Sequence, residues 1–182
     1  MKYLFGLGNP GIKYLQSRHN AGFLLADALQ QNWQLPEFTF QSKFVAEVSK
    51  QQQLLVAKPQ TFMNDSGKAV QAVLNYYQKN NVLGLDTVFI AHDDLDLELG
   101  SYKIQFGKGP KVHNGVNSVV KYLKSEDFWH IRIGIDTRRN DRSIPSYDYV
   151  LLPMTPDEKQ LFDQTLREIV DKLKTSLLEN YG

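Results

Sequence analysis

The sequence predicts an α/β fold: a single three-layer domain over residues 1–182, with a twisted, mixed and mainly parallel sheet flanked by helices. Two observations predict it. Short apolar runs suited to buried strands alternate along the chain with segments whose apolar residues recur at helical spacing. A hairpin-like pair between Phe44 and Ala57 then makes the sheet mixed rather than wholly parallel.

Taken in order, Tyr3 to Leu7 is a buried strand that enters a Gly-Asn-Pro-Gly corner. The helix that follows runs from about Asn20 to Trp33, with Phe23, Leu24, Ala28 and Leu29 on one face, and Pro36 breaks the chain after it. Phe44–Val48 and Leu54–Ala57 read as strands around a Lys50-Gln-Gln-Gln53 turn, and Lys58-Pro59 stops the second. Asp65 or Ser66 is placed to cap a helix carrying Val70, Val73, Leu74 and Tyr77, which Asn80 and Gly84 end. Thr87–Ala91 is a short buried strand that delivers His92, Asp93, Asp94 and Asp96 at its end. Tyr102–Phe106 is a strand, Val116, Val119, Val120 and Leu123 mark a helix, and Ile131–Ile135 is a strand again. Thr137 to Tyr149 reads as a polar, arginine-bearing and mobile loop. Thr155-Pro156-Asp-Glu158 is a capping box with proline at the first helical position, opening a long amphipathic helix through Leu161, Phe162, Thr165, Ile169, Leu173 and Leu177.

Composition narrows the class. A chain of 182 residues, 42% of them hydrophobic, suits one globular domain with a substantial core. It contains no cysteine, which excludes disulfides and thiolate metal sites. No basic leader with an apolar core opens it, and no apolar run approaches the ~20 residues of a membrane span. The expectation is therefore a cytoplasmic protein with no membrane contact. Because the net charge is only +1, any nucleic-acid contact must come from a local basic patch. The best candidate is Ser101–Lys124, which holds Lys103, Lys108, Lys111, Lys121 and Lys124 and no acid. Lys121 and Lys124 also fit a solvated helix face, whereas Lys103 and Lys108 flank the expected site, and Arg132 on the next strand joins them.

Gly6-Leu-Gly-Asn-Pro-Gly11 matches the dinucleotide pattern G-x-G-x-x-G, yet the fit fails. Pro10 keeps Asn9 out of the helical region, the helix starts several residues late, and Asp27 lies inside that helix rather than after a second strand. No cofactor is expected. Four corners instead place Asn9, His19, Asn64, Asp93 and Asn114 where they can converge at one end of the sheet. One imidazole, one carboxylate and three amides, with no serine or cysteine nucleophile, suit attack by water. His19 would be the base, since its ordinary pKa of ~6.5 leaves much of it neutral near neutral pH. Asp93 would accept the other imidazole N–H and stabilise the imidazolium, and the amides would hold the water and the developing oxyanion. Asn9, Asn64 and Asn114 also fit a simpler role tying down turns, as does Asn20, while His92 and Asp96 read as braces for the Asp93 loop. The Asp93-Asp-Leu-Asp96 carboxylates invite a Mg²⁺ or Ca²⁺ reading, but calcium-loop spacing and its glycine are missing, and no metal is expected.

The same residues carry a resemblance. Gly6-Leu-Gly-Asn-Pro-Gly11, followed by Tyr14 and Arg18-His-Asn-Ala-Gly22, closely resembles the start of bacterial peptidyl-tRNA hydrolases. Lys58-Pro-Gln-Thr-Phe-Met-Asn64-Asp-Ser-Gly67, His92-Asp-Asp-Leu-Asp96 and His113-Asn-Gly115 follow in that family's order, so the resemblance spans nearly the whole chain. It implies hydrolysis of the ester joining a peptide to the 3′ ribose of tRNA, releasing free tRNA for reuse in translation, with peptidyl-tRNA as the partner. It also implies a monomer with no obligate protein partner. Position by position it implies His19 as base and Asp93 as its partner. Asn9, Asn64 and Asn114 would surround the ester and peptide backbone, and Tyr14, Met63 and His113 would line the same groove. Lys103 and Arg132 match a basic pair that holds a tRNA phosphate. The chain departs from the family at Gln105, where a second lysine is common, and at Gly107-Lys-Gly-Pro-Lys-Val112, where a glycine-rich run is usual; Lys108 and Lys111 would supply the missing charge. The alternative within the same resemblance is a noncatalytic RNA-binding protein, as in relatives that serve plant organelle splicing.

Overall fold

Tyr3 and Phe5 point to one side of the first strand and Leu4 to the other, and all three are fully buried. A strand apolar on both faces has to lie inside a sheet covered on both sides. The computed structural model, which describes residues 1–78, 84–138, 141 and 143–177, places it there. The sheet has seven strands in the order β2-β3-β4-β1-β5-β7-β6. They are β1 (Lys2–Gly6), β2 (Thr39–Gln41), β3 (Ala46–Gln51), β4 (Leu54–Pro59), β5 (Val88–Glu98), β6 (Tyr102–Phe106) and β7 (Trp129–Asp136). The central strands β4, β1, β5 and β7 run parallel, β3 and β6 run against them, and β2 at the edge pairs antiparallel with β3.

One face of the sheet is covered by α1 (Ala21–Asn32) and α5 (Pro156–Leu177), whose Leu25, Leu29, Phe162 and Ile169 pack with Leu4 and Ile133. The other is covered by α2 (Ser66–Tyr77) and α3 (Asn114–Leu123), whose Val70, Val73, Val116 and Val119 pack with Tyr3, Phe5 and Ile90. A short helix, α4 (Ser146–Tyr149), lies between β7 and α5. Among the described residues no helix is long and apolar enough to cross a membrane.

The N-terminal glycines serve packing. A Cβ on Gly6 would come within 2.2 Å of the Gly22 carbonyl oxygen, and one on Gly22 within 2.3 Å of Leu7 N. Helix α1 can therefore lie directly on β1, and the turn before it, residues 18–20, is pressed against the strand ends. This close approach accounts for Gly6; Gly8 lies against the Phe23 ring, whereas Gly11 has open space around it and is required for its φ of +105°.

Several elements differ from expectation. Phe44 and Val45 belong to the turn before β3 rather than to the strand, with Val45 at a φ of +51°, costly for a β-branched residue. Strand β3 runs on through Gln51, so the turn is Gln52-Gln53, and β2 was not anticipated. Pro59 is the last residue of β4, where a missing N–H does little harm. Strand β5 continues to Glu98, so His92 and Asp93 sit within it, paired to Arg132 and Ile133. Neither Asp65 nor Ser66 caps α2 with its side chain, because a 3₁₀ turn over Met63–Asp65 leads straight into the helix. That helix ends at Tyr77; Asn80 lies outside the described residues. So do residues 139, 140 and 142 of the expected mobile loop, whose far end is α4. The capping box forms as expected: Thr155 N–H donates to Glu158 Oε2 at 2.8 Å and Glu158 N–H to Thr155 Oγ1 at 3.3 Å.

Candidate active site

The three corners after β1, after β4 and before α1 are stitched together by one asparagine pair. Asn9 Oδ1 accepts from Met63 N–H at 2.9 Å, Asn9 N–H donates to Asn20 Oδ1 at 2.8 Å, and Asn20 Nδ2 donates to Asn9 O at 3.1 Å. Both asparagines are buried. Asn9 thus holds the Met63–Asn64 turn in place through its side-chain oxygen. Asn20 pins the start of α1 and so the preceding residue, His19.

His19 Nδ1 lies 2.8 Å from Asp93 Oδ1, and His113 Nε2 lies 2.9 Å from the same oxygen. The tautomers follow from the partners. His113 Nδ1 accepts from Gly115 N–H and Val116 N–H at 3.1 and 3.2 Å, capping α3, so its proton is on Nε2 and is donated to Asp93. His19 likewise donates its Nδ1–H, which frees the Nε2 lone pair. Burial pushes the His19 imidazole pKa down, but the charge of Asp93 and the hydrogen bond to it prevail and raise it above 6.5. Burial opposes ionisation of Asp93; the charges and hydrogen bonds of the two histidines outweigh it and hold the carboxyl well below the usual carboxylate range. A carboxylate that accepts two imidazole N–H groups orients both rings and stabilises positive charge that develops on His19.

Beneath the triad the other two histidines extend the cluster. His92 donates Nδ1–H to Asp93 O at 2.8 Å, fixing the backbone at the acid, and its Nε2 lies 3.4 Å from His130 Nδ1. The chain has four histidines, and they form one run of rings: centroids are 5.0 Å apart for His19 and His113, 5.1 Å for His113 and His92, 5.6 Å for His92 and His130. Burial lowers the pKa of both inner rings, His130 to about 4 with help from Arg132 and His113.

A cleft of about 250 Å³ opens over His19, Asp93, His113 and Asn114. Its walls are Leu95, Val112, Ser146, Tyr147 and Val150, apart from Ser146 an apolar lining beside the polar cluster. None of these wall residues was singled out from the sequence. The exposed Val112 beside His113 was a legible signal, while Tyr147 and Val150 arrive from a loop with no periodicity. Tyr14 is half-buried, with the Lys13 ammonium 4.6 Å from its ring, and it does not line this cleft. Met63 does not line it either: it is packed in the core beneath, its sulfur against Gly115. Asn64 is exposed on the turn that Asn9 holds, and Asn114 is exposed at the cleft.

The basic residues divide. Lys103 and Lys108 are exposed, and Lys103 pairs across β6 and β7 with Arg132. Arg132 itself is buried; its Nε donates to Asp94 Oδ2 at 2.6 Å and its Nη1 to Gln105 Oε1 at 3.1 Å. Arg132, expected with Lys103 and Lys108 at a tRNA phosphate, has its charge matched by Asp94, and Gln105 is its hydrogen-bond partner. Asp94 being so used, and Asp96 accepting from Lys111 N–H at 3.4 Å, the supposed acidic metal loop is taken up by protein contacts. Among the described residues His19, Asp93 and His113 have metal-ligand proximity. However, His113 offers a protonated Nε2 to the acid, and a ligating nitrogen needs a lone pair there.

A sequence profile described as "Peptidyl-tRNA hydrolase" matches residues 3–181. The peptidyl-tRNA hydrolase of Rickettsia bellii is 35% identical over 184 residues, covering 99% of this chain and 95% of that one. That of Dichelobacter nodosus is 36% identical over 182 residues, covering 96% and 93%. Among solved structures, the crystal structure of peptidyl-tRNA hydrolase from Acinetobacter baumannii superposes with a TM-score of 0.84 at 28% identity, covering 98% of this chain and 89% of that one.

Proposed function

Because the chain belongs to the peptidyl-tRNA hydrolase family, we propose that it cleaves the ester between peptide and tRNA with water activated by His19. Its reaction is hydrolysis of peptidyl-tRNA, and the observation that carries the mechanism is the shared oxygen of Asp93. With Nδ1–H given to Asp93, His19 Nε2 takes a proton from water as that water attacks the ester carbon. The imidazolium formed is stabilised by a carboxylate whose geometry His113 fixes from the other side. The proton then passes to the departing 3′ ribose oxygen. The side-chain NH₂ groups of Asn9, Asn64 and Asn114 serve the substrate carbonyl and peptide backbone, a neutral donor to an oxyanion being worth roughly 3 to 4 kcal/mol of barrier. Leu95, Val112, Tyr147 and Val150 hold the peptide's apolar side chains. Lys103 and Lys108 meet the tRNA phosphates, with Arg132 adding positive charge on the neighbouring strand. The reading includes a monomer that meets peptidyl-tRNA where ribosomes make it, in the cytoplasm.

The test is turnover of a purified peptidyl-tRNA. His19→Ala is expected to keep the native circular dichroism spectrum and lose at least a hundredfold in kcat, the contribution of a positioned base. A variant that turned over at the wild-type rate would remove His19 from the mechanism and favour a scaffold that only binds RNA.

A further inference from the structure

The segment from Ser146 to Pro153 is both a wall of the cleft and a support for the backbone of the base. His19 N–H donates to Val150 O at 2.8 Å and Arg18 N–H to Leu152 O at 3.2 Å. Tyr147 and Val150 line the cleft, and Tyr149 between them does not. It is turned inward and is 4% exposed. Two guanidinium groups sit against its ring, Arg18 Cζ at 4.5 Å and Arg138 Cζ at 4.3 Å from the centroid. Its hydroxyl donates to Ile135 O at 3.0 Å and accepts from Thr137 N–H at 3.0 Å. The two arginines are themselves held, Arg18 by Glu158 at 2.6 Å and Arg138 by Asp136 at 2.8 Å.

Tyr149 thus joins three pieces of chain: the end of β7, the cleft wall, and the turn that carries His19. A tyrosine wanted only for its volume would not need two cations on its ring and, on its hydroxyl, two backbone groups and the Thr137 Oγ1 at 3.0 Å. Each cation–π contact stiffens the ring in place, and the hydroxyl sets its depth. We infer that Tyr149 is a positioning residue of the hydrolysis: anchored on Ile135 and Thr137 and gripped by Arg18 and Arg138, it holds the Val150 carbonyl against His19 N–H and thereby sets how the His19 ring meets Asp93. The inference rests on the reading of His19 as base. A displacement of about 1 Å in such a contact can cost a hundredfold in rate.

The test is the pH profile of kcat/KM for peptidyl-tRNA hydrolysis. The ionisable groups facing His19 are Asp93 from β5 and His113 at the start of α3, with Tyr147 across the cleft and Arg18 beside it in the turn. Tyr149→Phe keeps the ring and loses all three hydroxyl contacts, those to Ile135 O, Thr137 N–H and Thr137 Oγ1; Arg138→Gln removes one cation. The expected result for Tyr149→Phe is a roughly tenfold lower kcat/KM, with the acid limb moved down toward the value of an isolated histidine. Arg138→Gln should move the limb the same way by less. A mere loss of folded enzyme would scale the rate at every pH and leave the limb where it was. Limbs unmoved in both variants would overturn the inference, while a wild-type chain that released no tRNA would instead overturn the function proposed above.

Discussion

At His19 two opposed influences meet, and their balance is measurable. Burial alone would favour the neutral ring, yet the Asp93 charge and hydrogen bond leave its pKa above 6.5. The base must be neutral to accept a proton, so kcat/KM should rise with pH and level off above that raised value. Asp93→Asn removes the charge while keeping the shape. Its expected effect is an acid limb shifted downward and a rate lower by at least about a hundredfold, read from initial rates between pH 5 and 9. A limb that stayed put would mean that Asp93 does not set the base's protonation. His113 is the residue whose role sequence reasoning understated. It was placed as a groove residue, and the structure makes it the second donor to Asp93 and the cap of α3.

Strands β6 and β7 illustrate how one element separates binding from stability. Lys103 and Arg132 are cross-strand neighbours, yet one side chain is solvated and the other is buried in an ion pair with Asp94. Replacing Lys103 and Lys108 by Ala should weaken tRNA binding and flatten the dependence of log K on log salt, because fewer counterions are released. Arg132→Gln should act differently. It strands a buried carboxylate, and losing one partner of such a pair typically costs about 3 to 5 kcal/mol, visible in urea unfolding. If Arg132→Gln left the midpoint unchanged, the Asp94 pair would not be holding β5 to β7.

For the whole molecule, the buried histidines make acid the destabilising direction. His92 and His130 have folded pKa values below the unfolded 6.5, so their contribution is complete above 6.5 and is lost as pH falls, for His130 toward about 4. Asp93, also depressed, adds a loss below the ordinary carboxyl range, whereas His19, raised, contributes below 6.5 and loses its share above it. The melting temperature should therefore drop between pH 6.5 and 4. His130→Gln should flatten that drop; an unaltered curve would show that His130 does not contribute to it. What the sequence by itself determined is local: the alternation of strands and helices, the Thr155–Glu158 cap, the glycine corners, and a candidate set of His19, Asp93 and three asparagines. These are written in consecutive residues, through periodicity, capping and turn chemistry. Only the tertiary structure decided that His19 and Asp93, 74 positions apart, share an oxygen with His113, that Arg132 is spent on Asp94, and that Tyr149 grips the cleft wall. Such proximities depend on sheet register and on which face each strand buries, and no short stretch of chain encodes either.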